Sequence, residues 1–136
     1  MAVSRLALVL TLLLAACGQN SGSDLAGTQW TLILLDSTRP IGNQPITLQF
    51  QQTEMGGFSG CNSYSGQYQM HEGQIVFPTP PGIATTLMAC DLMSIMEQEG
   101  TYHQALNNVT SYRIIGDRLD MLDEEGQRVL TFERAS

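Results

Sequence analysis

The sequence predicts a mainly β fold of the α+β class: a small antiparallel β-barrel, or a strongly curled sheet, of about eight short strands with one packed helix. Three observations support this prediction. Short segments of alternating or β-branched apolar residues recur along the chain, separated by turn-forming residues. One region instead repeats its apolar residues at helical spacing. The length of 136 residues is typical of one domain.

Eight segments have the composition or the alternation of β-strands. They are residues 28–35, 46–50, 58–61, 64–70, 74–77, 111–115, 118–122 and 128–132. Gly56 and Gly57 are interpreted as a break between strands, and His71 to Gly73 as a hairpin turn. The prolines at 78, 80 and 81 end the fifth strand, because proline lacks the donor that a strand ladder needs. The last three strands are predicted to form a meander.

The helix is predicted to begin at Asp91, whose side chain can cap the first turn, and to end at Asn107 and Asn108. Its apolar residues recur three or four positions apart, or at multiples of these spacings, and they are Leu92, Ile95, Met96, Tyr102, Ala105 and Leu106. This stripe predicts that the helix packs on the sheet or closes one end of it. The methionines at 88, 93 and 96 are interpreted as part of the core rather than as ligands.

Residues 1–16 are predicted to be a signal peptide. Arg5 precedes an apolar run at residues 6–14, and small residues follow it. The run is shorter than the roughly 20 residues that a transmembrane helix needs. Residues 14–17, Leu-Ala-Ala-Cys, resemble the bacterial lipobox, in which the cysteine thiol is acylated and the chain is cut just before it. Cys17 is therefore the expected lipidation site, and an ordinary secretory signal is the alternative.

The predicted organisation is a signal peptide at 1–16, lipidated Cys17 with a flexible tether to residue 24, and a domain at 25–136. The polar residues 18–24 span about 15 Å. By resemblance, two or three acyl chains, palmitate among them, would anchor the protein permanently. Residues 18 and 19 are not aspartate, which favours the outer membrane facing the periplasm. The expected localisation is thus the bacterial cell envelope.

The charge of the chain excludes one class of partner. The formal net charge is −7, and loss of Arg5 with the signal peptide would make it −8. The chain contains no lysine, and its arginines are scattered. Binding a phosphate backbone needs clustered basic residues, so no nucleic-acid partner is expected. The expected partners are the membrane, through the N-terminal lipid, and an envelope protein. A closed barrel without exposed edges predicts a monomer.

Cys61 and Cys90 remain once Cys17 is lipidated, which is the count expected for one disulfide in an oxidising compartment. The bridge would close a loop of 30 residues, worth about 3.6 kcal/mol in the chain-entropy model. Two separate buried thiols are the alternative. A redox-active pair is not expected, because no close Cys-x-x-Cys motif is present to lower one thiol pKa.

Two stretches around these cysteines resemble the motifs of the META domain family, which is named with the HslJ heat-shock lipoprotein. They are residues 60–68, Gly-Cys-Asn-Ser-Tyr-Ser-Gly-Gln-Tyr, and residues 83–90, Ile-Ala-Thr-Thr-Leu-Met-Ala-Cys. Residues 27–32 are similar to the Trp-x-Leu strand of the family, and the resemblance covers residues 25–133. It implies a compact β-structure with a helix and a small envelope protein, often lipidated. Some members are linked to heat shock and antibiotic tolerance, and no catalytic mechanism is established.

The motif residues are interpreted as a structural corner beside the disulfide. Gly60 and Gly66 permit backbone conformations that are costly for other residues. Asn62 can hydrogen-bond local backbone in a turn, and the threonines before the helix can do the same. The alternative is a ligand-binding corner in which Asn62, Tyr64 and Thr86 present polar groups.

These observations favour a non-enzymatic envelope lipoprotein with a META/HslJ-like domain and a binding, stress or antibiotic-tolerance role. Two alternatives are a small-ligand carrier, by analogy with lipid-binding barrels, and an inhibitor of an envelope hydrolase that uses the loop at residues 78–81. The sparse aromatic residues favour a filled interior over a carrier's cavity. The proline-rich loop also reads as a simple connector.

No catalytic residue, cofactor or metal is expected. The available side chains, which are Ser63, His71, Glu72, Glu97, Glu99 and His103, form no recognisable pattern of nucleophile, base and orienting group. The two histidines do not lie at zinc-ligand spacing from either cysteine. The acidic residues at 117, 120, 123, 124 and 125 do not match the EF-hand spacing and are interpreted as a solvated hairpin face.

Overall fold

The computed structural model describes residues 24–136, so the predicted signal peptide, Cys17 and nearly all of the tether lie outside the described residues. One helix, α1, spans Met93–Asn107. The strands are β1 Gln29–Leu35, β2 Thr47–Phe50, β3 Glu54–Phe58, β4 Ser63–Gln67, β5 Gln69–His71, β6 Gln74–Val76, β7 Ala84–Thr85, β8 Ser111–Ile115, β9 Arg118–Leu122 and β10 Arg128–Arg134. Within the described range, no helix is long and apolar enough to span a membrane.

Eight strands form one antiparallel sheet in the order β7-β4-β3-β2-β1-β10-β9-β8, and β5 and β6 form a separate hairpin. The prediction of a mainly β fold with one helix and a large antiparallel sheet is confirmed. The barrel alternative is not, because the outer strands β7 and β8 do not pair with each other among residues 24–136. The small hairpin lies beside β8 instead, and the amide of Ile75 donates to the carbonyl of Thr110 at 3.1 Å.

The core lies between the curled sheet and the C-terminal half of α1. The helix contributes Tyr102 and Leu106, both fully buried, and the central strands β1 and β10 contribute Trp30 and Phe132. The other buried apolar residues are Leu25, Leu32, Leu35, Ile46, Leu48, Phe50, Met55, Tyr64, Tyr68, Ile75, Val109, Leu119, Met121 and Leu130. Along β2, β4 and β6 the buried residues alternate with partly or fully exposed ones, as expected for a sheet with one buried face, whereas β9 and β10 each bury three consecutive residues.

Strand β3 differs from the prediction, because Gly56 and Gly57 lie inside it rather than between strands. A Cβ atom on residue 57 would lie 2.1 Å from the carbonyl oxygen of Thr47 on the neighbouring strand. Glycine is therefore needed for the close approach of two backbones and does not break the strand. The predicted strand at 58–61 is correspondingly wrong, since β3 ends at Phe58.

The predicted strand at 64–70 is divided in the structure. Strand β4 ends at Gln67, and β5 begins at Gln69. Between them, the amide of Tyr68 donates to the carbonyl of Thr53 at 3.1 Å, and its hydroxyl donates to the carbonyl of Gln51 at 2.6 Å. These bonds draw Tyr68 toward the β2–β3 turn and bury its ring in the core, so the chain leaves the sheet at this point.

Turns predicted from the sequence are present. Glu72 and Gly73 connect β5 to β6 and have φ values of 50° and 81°. Positive φ at both central residues is characteristic of a type I′ hairpin turn. The C-terminal meander is also confirmed, and its last strand continues two residues beyond the predicted end, to Arg134.

The helix begins later than predicted. Leu92 occupies the N-cap position in an extended conformation, and no side chain caps the first turn. Asp91 is therefore not the cap. The end is as predicted, because Asn107 is the last helical residue, and the amide of Asn108 donates to the carbonyl of Ala105 at 3.1 Å.

Candidate functional site

The β3–β4 turn and the segment before α1 meet at the corner predicted from the sequence motifs. Cys61 and Cys90 are bonded through their sulfur atoms, with their Cα atoms 5.8 Å apart, so the predicted pairing is the one found in the structure. Gly60 has a φ of 103°, a conformation that favours glycine. The buried Ser59 closes the turn, because its amide donates to the carbonyl of Asn62 at 2.8 Å and its hydroxyl oxygen lies 2.8 Å from the same carbonyl oxygen.

Asn62 joins three parts of the chain through its buried side chain. The amide nitrogen donates to Oε2 of Glu99 on α1 at 2.8 Å. The amide oxygen accepts from the backbone nitrogen of Met88 at 2.6 Å and from the hydroxyl of Thr86 at 2.9 Å. The predicted local hydrogen bond to the turn is wrong, because the side chain is fully used in bonds to residues at least 24 positions away.

Glu99 is held in place as an acceptor at this corner. Its carboxylate accepts from the hydroxyl of Ser59 and from the backbone amide of Asn62, the latter at 2.9 Å, in addition to the Asn62 side chain. Burial disfavours the charged form, but the hydrogen bonds from Ser59 and Asn62 and the nearby His103 outweigh it, so the pKa of Glu99 is lowered. The carboxylate is thus an ionised anchor for the turn.

His103 lies one helical turn after Glu99, with its ring against the rings of Tyr64 and Tyr102. Burial lowers the pKa of the imidazole, and the Glu99 charge offsets this only in part. Its Nε2 atom is buried without a hydrogen-bond partner in the described structure. A neutral imidazole therefore fits this position, because protonation would place a second N–H donor where none is satisfied.

Tyr64 packs inward from the corner rather than presenting a polar group. Its hydroxyl lies 2.6 Å from the hydroxyl of Tyr102 and donates to the carbonyl of Thr47 at 2.7 Å. Burial raises the pKa of both phenols, so both remain neutral. Gly66, also part of the motif, has an ordinary φ, contrary to the prediction. Glycine fits position 66 because it is small: a Cβ atom on this residue would lie 3.3 Å from the carbonyl oxygen of Gly82.

The arrangement of these residues favours the structural interpretation of the corner over the ligand-binding one. Asn62 and Tyr64 are buried, and the Thr86 hydroxyl is bonded to Asn62, so their polar groups are used within the protein. The structure brings Glu99 and His103 together, but the serine beside them is Ser59 rather than Ser63. Sequence reasoning missed Ser59, since no spacing links it to a helix 40 residues later.

The remaining sequence candidates do not assemble into a reactive or metal-binding group with the corner. His71 ends the β5 strand, on the separate hairpin. The two cysteine sulfurs and a Glu99 oxygen lie within 4.8 Å of one another, but both sulfurs are consumed in the disulfide. Thiolate ligation of a metal there would require that bond to be reduced.

The predicted solvated face at residues 117–125 needs one correction. Asp120 is fully buried, and its Oδ2 atom pairs with Arg113 at 3.3 Å and with Arg118 at 3.2 Å. The β8–β9–β10 meander places these residues on adjacent strands or on the same strand, which a linear acidic pattern does not reveal. Two arginines beside the carboxylate neutralise it, which further disfavours a calcium interpretation.

The methionines at the start of α1 are exposed, so their predicted place in the core is wrong. Met93 is 73% exposed, Met88 63% and Met96 47%, and Leu87 and Leu92 beside them are 93% and 60% exposed. The helix packs on the sheet only through its second half, and its first turns extend along the disulfide. Met88 and Leu92 line an open cleft of about 400 Å³ there. An exposed apolar surface of this kind is typical of an interaction site.

Comparisons with known proteins agree with the fold and with the motifs. The family model described as META domain matches residues 23–136. A solution structure of a protein from Burkholderia xenovorans is similar to this chain, with 29% identity, a TM-score of 0.62, and coverage of 82% of this chain and 84% of that one. A second solution structure, at 20% identity and a TM-score of 0.62, covers 80% of this chain and 90% of that one and shares the fold. No curated protein matches the sequence.

Proposed function

The chain belongs to the META domain family, and from that premise we propose that it is a non-enzymatic lipoprotein of the bacterial cell envelope that acts by binding another envelope component. A role in stress or antibiotic tolerance follows from the same family relationship. The proposal has two parts, an anchored location and a binding surface, and different observations support them.

The location is supported by the cysteines. Cys17 follows a signal-like segment and is the proposed site of acylation, while the other two cysteines form the Cys61–Cys90 disulfide. Structural disulfides persist in oxidising compartments such as the periplasm. Residues 18–24 would hold the domain at a root-mean-square distance of about 15 Å from the anchor. Since Gly18 and Gln19 follow Cys17 and neither is aspartate, the outer membrane, facing the periplasm, is the proposed destination.

The observation that carries the binding role is the exposed apolar surface around the disulfide, formed by Leu87, Met88, Leu92, Met93 and Met96. We call it the methionine surface. The polar groups of the nearby corner are hydrogen-bonded to one another. The methionine surface would therefore contact a partner mainly through its apolar side chains. Enzymatic activity is not proposed, because Ser59, the serine nearest Glu99, is fully buried and donates to that carboxylate.

The two alternative roles fit the structure less well. A carrier would need an internal cavity, but the space between the sheet and α1 is filled by the core side chains, including Trp30, Phe132 and Tyr102. The loop at residues 78–81, suggested as an inhibitory contact, is exposed but forms a compact turn, in which the amide of Gly82 donates to the carbonyl of Pro78 at 2.9 Å.

The location is tested by replacing the proposed lipidated residue. The wild-type protein is expected to fractionate with the membrane, to incorporate labelled palmitate and to have the mass of a chain cut before Cys17. The Cys17→Ser variant should incorporate none of the label. Unmodified wild-type chain in the soluble fraction would contradict the proposed anchor.

The binding role is tested by photocrosslinking in intact cells. A photoreactive phenylalanine analogue is placed at Met93, within the methionine surface, and in a matched strain at Ile115, an apolar residue that is 53% exposed on the edge strand β8. We expect a discrete crosslinked product from position 93 and none from position 115. The absence of any product at 93, or the same products at both positions, would argue against a binding role for this surface.

A further inference from the structure

The methionine surface is continuous with a cleft that has the form of a pocket for an apolar side chain. Met88, Leu92, Ile95, Phe58 and the 42–44 loop line this cleft of about 400 Å³. The loop is fixed to α1, because Gln98 donates to the carbonyl of Ile41 at 3.0 Å and accepts from its amide at 2.7 Å. The surface therefore combines a defined pocket with flexible thioether side chains that adapt to a partner.

The exposed charged residues within the segment that carries the methionines, residues 87–97, are both acidic. Between residues 40 and 112 the chain contains no lysine or arginine, whereas it contains five acidic residues. Two of them, Asp91 and Glu97, are exposed within the same segment as the methionines. Arg39 precedes the 42–44 loop, and three of the other four arginines in the described structure pair with aspartates. The methionine segment itself thus carries only negative charge, to which basic groups of a partner are attracted.

We propose that the methionine surface binds an amphipathic, positively charged peptide segment, whose apolar face contacts the methionines while its basic residues face Asp91 and Glu97. This inference rests on the proposed binding role and adds the chemistry of the partner. An apolar anchor of the segment would enter the cleft beside Met88 and Leu92. Flexible, methionine-rich surfaces with acidic surroundings suit amphipathic basic helices of varied sequence.

The same charges disfavour the other occupants of an apolar surface. A second copy of this chain would bring two sets of Asp91 and Glu97 together, and like charges across an interface are costly. An anionic lipid surface would be repelled for the same reason. A partner with basic residues around an apolar stripe complements both the apolar side chains of the methionine surface and its acidic residues.

The test measures binding of a synthetic peptide to the full chain carrying Cys17→Ser, so that no lipid or detergent competes. The probe is a fluorescent peptide of about 18 residues, five helical turns, with leucine on one face and lysine on the other. A scrambled peptide of the same composition and a version with glutamate in place of lysine serve as controls. We expect anisotropy to report a Kd of about 10 µM or tighter for the amphipathic basic peptide only.

Variants of the protein then locate the binding. Met93→Gln with Met96→Gln is expected to weaken binding about tenfold, because apolar contacts at the centre of an interface dominate its affinity. Asp91→Asn with Glu97→Gln is expected to weaken it mainly at low salt, since screening already reduces exposed charge interactions at high salt. Ile115→Gln, at a similarly exposed apolar position on β8, is the matched control and should bind as wild type does. Unchanged urea midpoints would show that each variant is folded.

Several results would overturn this proposal. Equal affinity of the methionine variant and the wild-type chain would place peptide binding elsewhere. If the scrambled or the glutamate peptide bound as tightly as the amphipathic lysine peptide, the surface would bind apolar residues without selecting for helical amphipathicity or for positive charge. Dimerisation lost in the methionine variant would assign the surface to a second copy, and binding of anionic vesicles would assign it to lipid. A crosslinked product at position 93 in cells, with no peptide binding, would refute only the cationic chemistry and leave the binding role standing.

Discussion

Replacing Asn62 with alanine is expected to cost this protein more stability than its position in a surface turn suggests. The side chain is 5% exposed and connects the β3–β4 turn to α1 and to the segment before Cys90. Truncation leaves the Glu99 carboxylate, the Met88 amide and the Thr86 hydroxyl without their shared partner.

The expected loss follows from the hydrogen bonds. Two bonds between neutral groups, at 2.6 and 2.9 Å, contribute about 1 kcal/mol each, and the bond to the charged Glu99 contributes about 2 kcal/mol. Water can reach Met88 and Thr86 in the variant, since both residues are exposed, and this reduces the total. We therefore expect Asn62→Ala to lower the free energy of unfolding by about 3 kcal/mol, which corresponds to a Tm lower by about 12 °C.

Urea unfolding of the oxidised protein, followed by far-ultraviolet circular dichroism, measures this loss. The control is Asn43→Ala, because Asn43 is exposed and its side chain makes no hydrogen bond within residues 24–136. A double variant with Glu99→Gln should lose less than the two single variants together, because the two residues share a hydrogen bond. A loss below about 1 kcal/mol, or full additivity with Glu99→Gln, would refute the description of Asn62 as a three-way junction.

Four further predictions concern stability. Replacing Cys61 and Cys90 together by serine should lower the free energy of unfolding by about 3.6 kcal/mol in urea, because a loop of this size is no longer closed, and reducing agent should not affect the variant further. Gly57→Ala should destabilise the protein by several kcal/mol or prevent folding, since its Cβ would meet a neighbouring carbonyl at 2.1 Å. In Gly100→Ala the added Cβ enters open space beside α1, so this variant should be more stable than the wild type by about 1 kcal/mol. Thermal unfolding of the two glycine variants tests both predictions. A Gly57→Ala variant that is more stable than Gly100→Ala would contradict the packing. The free energy of unfolding should fall as the pH drops below about 6.5. The pKa of His103 is lower in the folded protein than in the unfolded chain, so the unfolded chain binds the proton more readily. Unfolding measured between pH 7.5 and 5.5 should show a flatter dependence in His103→Gln, and an unchanged slope would exclude this histidine as the cause.

The local patterns of the sequence were sufficient for most strands and turns. The alternation at 46–50 reports directly which face of the strand is buried. The Glu72–Gly73 turn is likewise signalled locally, by a glycine that accepts positive φ between two strand-like segments. Both signals arise from a few neighbouring residues, so no tertiary information is needed to interpret them. The disulfide prediction used the cysteine count and the inferred compartment.

The errors occur where a distant part of the chain determines the outcome. Gly57 is required by the approach of β2, which is not visible from residue 57 and its neighbours. Asp120 is buried because the meander brings Arg113 beside it. The first turns of α1 follow a helical apolar pattern, yet Met93 is exposed, because the buried residues of the helix, Tyr102 and Leu106, both lie in its second half. Hydrophobic spacing predicts a helix but does not distinguish a face that packs internally from one that stays exposed.

The covalent link between Cys61 and Cys90 has a consequence for the response of the protein to proteolysis. The exposed loop that contains Pro80 and Pro81 lies within the segment that this link spans. A single cut in the loop would therefore produce two fragments that remain one molecule, with β7 and α1 on one fragment and β1 to β6 on the other. Such a nicked form would migrate as one band under non-reducing electrophoresis and as two after reduction, and its sheet could persist after the polypeptide itself had been broken.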